Sequence, residues 1–115
     1  MNTIHYLNLN PVPFALIKTK AKKVEMRLFD ERRKVLKVDD YIVFTNNESQ
    51  EQIKTKIVGL RTFKSFKELY LFYEKSLLGY RKDEEADHND MLQYYSIEKI
   101  EQYGALAIEI ELMNF

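Results

Sequence analysis

At 115 residues, with 45% apolar residues and fifteen aromatics (eight Tyr, seven Phe), the chain is large enough for one domain with its own core and too apolar for disorder. It has no cysteine, which excludes a disulfide-linked partner and a thiolate zinc site, and no apolar run approaches the length of a membrane span. Basic and acidic residues balance at 18 each, so net charge gives no pull toward nucleic acid.

The distribution of that charge is uneven. Nine of the 18 basic residues lie between Lys18 and Lys37, opposed there only by Glu25, Asp30 and Glu31. A separate acidic patch runs through Asp83, Glu84, Glu85, Asp87 and Asp90. Such asymmetry gives a neutral protein one positive face, or else it marks a solvated, lysine-rich loop. The N-terminus lacks a basic start followed by an apolar stretch, so no signal peptide is expected and a cytoplasmic location is the expectation.

In chain order, His5 to Leu9 alternates and predicts a short strand. Asn10-Pro11 predicts a helix start, with Asn as N-cap and Pro in the first turn, and the helix ends near Lys20. Lys22 to Leu28 alternates again: Val24, Met26 and Leu28 share one face, and Lys23, Glu25 and Arg27 the other. Asp30 to Leu36 is charged and predicts an exposed loop or a single turn. Tyr41 to Thr45 and Gln52 to Phe63 predict two antiparallel strands joined by the turn cluster Asn46-Asn47-Glu48-Ser49. Ser65-Phe66-Lys67-Glu68 matches a capping box. Phe66, Leu69, Tyr70, Tyr73 and Leu77 then keep helical spacing up to Gly79, an aromatic stripe suited to a core. A charged loop covers residues 80–90, a helix follows from the cap Ser96 to Tyr103, and Leu106 to Leu112 alternates as a closing strand. One domain over residues 1–115 is expected, in the α+β class: five short, mainly antiparallel strands curled into a barrel, flanked by helices near 11–20, 65–78 and 96–103.

Enzyme motifs are scarce. The sequence carries no glycine-rich phosphate loop, no H-E-x-x-H and no nucleophile elbow. His5 and His88 are its only histidines and neither has a second at ligand spacing, so no metal and no cofactor are expected. The informative cluster is Lys22-Lys23-Val24-Glu25-Met26-Arg27. On a half-buried strand such a face meets water; equally, Arg with its planar fork and Lys with its mobile charge suit the wall of an anionic or polar site.

Beyond these motifs, an ordered set spans nearly the whole chain. It runs through Lys22-x-x-Glu25-x-Arg27-Leu28-x-Asp30, Leu36-Lys37-Val38-Asp39-Asp40-x-Ile42-x-Phe44-Thr45-Asn46, Tyr94-Tyr95-Ser96-x-Glu98 and Tyr103-Gly104-Ala105-x-Ala107-Ile108. This set resembles the ASCH domain, named for activating signal cointegrator homology, in its bacterial stand-alone form. The resemblance implies a PUA-like β-barrel with a cleft beside the K-x-x-E-x-R strand, a cleft for RNA, a nucleotide or a nucleoside. Carried over, Lys22, Glu25 and Arg27 line that cleft with Lys23 beside them, Tyr95 and Ser96 form its opposite wall, and Asn46 its rim. It implies an RNA- or nucleotide-binding domain or, alternatively, a small hydrolase of RNA or of a modified nucleoside such as N4-acetylcytidine, with Lys22 and Glu25 as the catalytic candidates. Three departures stand out. Lys20 and Asp39 occupy positions where many relatives have Gly, Lys23 stands where Thr is common, and Glu25 occupies the place of the amidohydrolase branch's nucleophilic Thr. A carboxylate does not replace that hydroxyl as acyl acceptor. Strict alternation also turns Lys22 away from Glu25 and Arg27 unless the strand's start or a bulge re-aims it.

Overall fold

The computed structural model describes residues 2–114. Five strands form one curled sheet in the order β1-β3-β4-β5-β2, comprising β1 (Ile4–Leu9), β2 (Val24–Leu28), β3 (Tyr41–Asn46), β4 (Gln52–Phe63) and β5 (Ala105–Met113). Three of its pairings are antiparallel and β1·β3 is parallel, so the sheet is mixed. β1 and β2 are its two outer strands, and the sheet curls without pairing them into a closed barrel. A side chain spans the open seam instead: one terminal nitrogen of Arg27 on β2 donates to the Asn8 carbonyl on β1 at 2.9 Å.

The sheet has apolar groups on both faces, for different reasons. Inside the curl, Leu9, Ile42, Phe44, Ile57, Leu106 and Ile108 pack with Phe14 and Ile17 of α1 (Pro11–Lys18). This is the period-two face of each strand, and removing it from water drives the curl shut. Outside, Val24, Met26, Leu28, Ala105 and Ala107 are covered by Phe66 and Leu69 of α2 (Phe66–Phe72) and by Met91 of a short 3-10 helix (His88–Gln93). Strand β2 is therefore buried on both faces rather than half-buried. The last helix, α3 (Ile97–Tyr103), hands the chain to β5 through Gly104, whose φ of 79° suits glycine.

Local signals hold at the helix starts. The Ser65 hydroxyl accepts from the Glu68 N–H and the Ser96 hydroxyl from the Lys99 N–H. The helix predicted over 65–78 is shorter, because Tyr73 turns extended and its hydroxyl donates to Glu109 of β5 at 2.6 Å. Residues 74–79 form separate turns. Asn10 begins α1 without a side-chain cap, since its amide oxygen accepts from Asn47 instead. Lys20 and Asp39 both keep the left-handed backbone, at φ 68° and 78°, even though neither is Gly.

Candidate functional site

The seam between β1 and β2 opens into a cavity of about 400 Å³. One wall is the end of β1 and the start of α1, with Asn8, Asn10 and Leu16. The floor is Lys22, Glu25 and Arg27, and the far wall is Tyr70, Tyr80, Tyr94 and Tyr95, with Asp90 beside them. Register explains the floor. Glu25 lies opposite Ile108 and Arg27 opposite Leu106, so both point to the inner face of the curl where no neighbouring strand covers them. Val24, Met26 and Leu28 alternate outward beneath the helices.

Lys22 reaches the same floor from outside the strand. β2 begins only at Val24, and the Lys22 N–H is held by the Leu16 carbonyl in the turn that leaves α1. Its stem lies across Gly79, where an added Cβ would sit 3.1 Å from Lys22 Cδ and where φ is +106°. Only glycine offers both that backbone and that clearance. Lys22 Nζ donates to the Leu78 carbonyl at 3.1 Å and lies 3.3 Å from Glu25 Oε1. Arg27 Nε donates to the other oxygen, Glu25 Oε2, at 2.8 Å. Burial alone would raise the Glu25 carboxyl, but Lys22 and Arg27 together outweigh it and hold the group below its ordinary value. Glu25 is thus a charged acceptor engaged on both oxygens.

The tyrosine wall is fixed from behind. Tyr95 stacks on Phe66, with centroids 6.0 Å apart and planes 4° from parallel. Tyr70 and Tyr80 share a hydroxyl hydrogen bond of 2.9 Å, and the Tyr80 hydroxyl donates to Asp90 at 2.7 Å. Burial pushes the Tyr70, Tyr80 and Tyr95 hydroxyls up, so all three stay neutral hydrogen-bonding groups at physiological pH.

Four of the expected site residues, Lys22, Glu25, Arg27 and Tyr95, come together here. Three do not. Lys23 is exposed on the other side of the chain, and its carbonyl accepts from the Ile110 N–H, so Lys22 is the lysine that pairs with Glu25. The Asn46 amide oxygen accepts from the N–H groups of Glu48 and Ser49, which commits that side chain to its turn. Ser96 is exposed and committed to capping α3. Asn47, next to Asn46, lines the cavity in its place. Sequence reasoning missed Asn8, Asn10 and Tyr80 and had Asp90 only as part of the acidic patch; they meet through the curl of the sheet.

The ASCH domain family matches residues 7–114 of this chain. The chain belongs to the ASCH domain family. Its fold agrees with solved structures across the whole domain. The crystal structure of the hypothetical protein PH0355 superposes with a TM-score of 0.82 at 30% identity, over 96% of this chain and 100% of that one. The solution structure of PF0455 from Pyrococcus furiosus gives 0.76 at 27% identity, over 98% and 100%. ZmASCH from Zymomonas mobilis, as its S128A mutant, gives 0.69 at 12% identity, over 98% and 75%, a likeness of fold alone. Among curated proteins none matches the sequence. This ASCH domain has no helix long and apolar enough to cross a membrane among the described residues.

Proposed function

We propose that this ASCH domain binds a nucleotide, alone or within RNA, by taking one base into the cavity at the β1–β2 seam, and that it does so without catalysing a reaction. The observation that carries the reading is the wall of tyrosines facing the Lys22 and Arg27 donors across a cavity of about 400 Å³. That volume lies in the range of small-ligand pockets. Aromatic faces stack on any base, and the amides of Asn8, Asn10 and Asn47 offer donors and acceptors for its edge.

The chemistry of Glu25 supports binding over hydrolysis. A general base works best with a pKa near the working pH, and Glu25 is held on the acidic side of an ordinary carboxyl by two cations. Nor is there a hydroxyl at this position to accept an acyl group. Its role is to hold Lys22 and Arg27 in place beneath a bound base.

Two measurements test this. Purified protein incubated with N4-acetylcytidine and followed by chromatography should release no appreciable cytidine. Mass spectrometry of the natively purified protein should identify a nucleotide or RNA travelling with it. Glu25→Gln should weaken that ligand by about 1–3 kcal/mol, because it loosens both floor cations. Multiple-turnover release of cytidine, abolished by Glu25→Gln, would make the hydrolase reading primary.

A further inference from the structure

The outer side of the sheet is covered only in part. The cluster beneath α2 and the 3-10 helix takes in β2, Ala105 and Ala107 of β5 and Phe63 of β4, and no residue of β1 or β3. Register places two rows of side chains on the part left open. Tyr6 of β1 lies opposite Val43 of β3, and Val43 opposite Lys54 of β4; in the next row Ile4, Tyr41 and Lys56 align in the same way. Their strand neighbours Ile42 and Phe44 alternate into the core.

A sheet face that meets only water is ordinarily polar. This one presents the Tyr6 ring at mid-strand, 69% exposed, with Ile4 exposed beside it. The two lysines differ. Lys56 lies 3.6 Å from Asp39 and opposite Glu111 of β5, so its charge is balanced. Lys54 lies opposite the apolar Met113, and its Nζ sits 4.4 Å from the centroid of the Tyr41 ring. It pairs with no carboxylate among the described residues. The face also joins the cavity: Asn8, the next outward residue of β1 after Tyr6, lines it, and two residues of strand span about 7 Å.

We propose that the open outer face of β1, β3 and β4 is a second nucleic-acid contact, on which single-stranded RNA stacks a base against Tyr6 and sets a phosphate on Lys54, next to the nucleotide held in the cavity. The inference extends the cavity reading and rests on it for the kind of ligand. An aromatic ring takes any base, and an ammonium two strands away, about 10 Å, reaches the backbone of the same strand of RNA. Ile4 and Tyr6 are too few for the apolar centre of a protein interface, and an unbalanced charge beside them favours a polyanion.

The test is calorimetry on the full chain at three salt concentrations, using the four ribonucleoside monophosphates and the four homopolymeric octaribonucleotides. For the best base, the octanucleotide should bind at least about tenfold more tightly than the mononucleotide. Tyr6→Thr, which keeps a good strand former at an exposed position, should lose roughly tenfold for the octanucleotide and leave the mononucleotide within about twofold. Tyr6→Phe should keep parent affinity, because the ring and not the hydroxyl carries the contact. Lys54→Gln should weaken the octanucleotide and flatten its salt slope by about 0.7. Octanucleotide binding that depends on Tyr6 and Lys54 without detectable mononucleotide binding supports the face and removes the cavity reading. Equal affinity for mononucleotide and octanucleotide in the parent overturns the face and leaves the cavity reading intact. So does a tighter octanucleotide that is indifferent to both substitutions, since the strand then runs elsewhere. No binding of any of these ligands overturns both. Sedimentation of the free protein completes the test: a monomer is expected, and a dimer dissociated by Tyr6→Thr makes this face a contact between copies and overturns the inference.

Discussion

Replacing Glu25 by Gln tests the floor of the cavity most directly, because it removes one charge and almost no volume. The Lys22 and Glu25 side chains are each 6% exposed and that of Arg27 15%, so solvent does little to screen the set. Without the carboxylate, two cations share the seam and Lys22 keeps only the Leu78 carbonyl. Breaking a buried ion pair from one side costs on the order of 3–5 kcal/mol, and Gln returns a neutral acceptor to Arg27, so we expect a loss of about 2–4 kcal/mol. Urea unfolding at pH 7 should show it as a lower midpoint with an unchanged slope. The pH dependence has a definite sign. The folded pKa of Glu25 lies below its ordinary value of 4.5, so its contribution is complete above that pH and is lost as the pH falls through the folded value. The gap between parent and variant should thus be flat from about pH 6 to 8 and close in acid. Adding Lys22→Met to Glu25→Gln removes the stranded ammonium and should recover at least about 1 kcal/mol. A gap under about 0.5 kcal/mol at pH 7, or one that widens on acidification, would refute a buried set held together by its charges.

Other changes probe the backbone and the basic turn. Lys20 holds φ at 68° without being glycine, so Lys20→Gly should stabilise by about 0.5–1 kcal/mol in chemical denaturation after the entropy of the freer unfolded chain is subtracted. Asp39→Gly should be neutral to within about 0.5 kcal/mol, because Asp tolerates φ 78° and its carboxylate lies 3.6 Å from Lys56. Replacing Arg32, Arg33 and Lys34 together by Gln should weaken RNA about equally across sequences and flatten the dependence of log K on log salt. Parent-like binding at every salt concentration would make the turn a solvated loop.

What the sequence revealed and what it hid divide along a physical line. Tyr41 to Thr45 was legible as a strand from its β-branched and aromatic residues, and Leu106 to Leu112 from the alternation of its large apolar side chains, and each lies within an observed strand. Ser65 and Ser96 were legible as caps because capping is settled within four residues. The same local rule bears on the site. A Ser or Asn whose oxygen already accepts from a nearby N–H is a poor ligand contact, and by that test Ser96 and Asn46 belonged to their turns from the start. The end of α2 was not legible. Helical spacing continues to Leu77, and it is the distant Glu109 that draws Tyr73 out of the helix. Nor was the gathering of Asn8, Tyr80 and Asp90, which depends on the parallel pairing of β1 with β3 and on the open seam this leaves beside β2.

The seam also explains why a glutamate suits position 25. β2 is covered by helices on its outer side, while its inner positions 25 and 27 face the curl at the one place where no strand pairs. A charge there is tolerable only beside an opposite charge and with its hydrogen bonds filled. Lys22 arrives from the α1 turn, braced against Gly79, and Arg27 reaches across to Asn8 to bridge the seam. Two cations so placed need an anion between them, and Glu25 supplies it with one oxygen to each. A threonine in that position would offer a nucleophile but leave both cations without a counter-charge. The residue that stands in place of the reactive hydroxyl is the same one that ties both cations of the floor together.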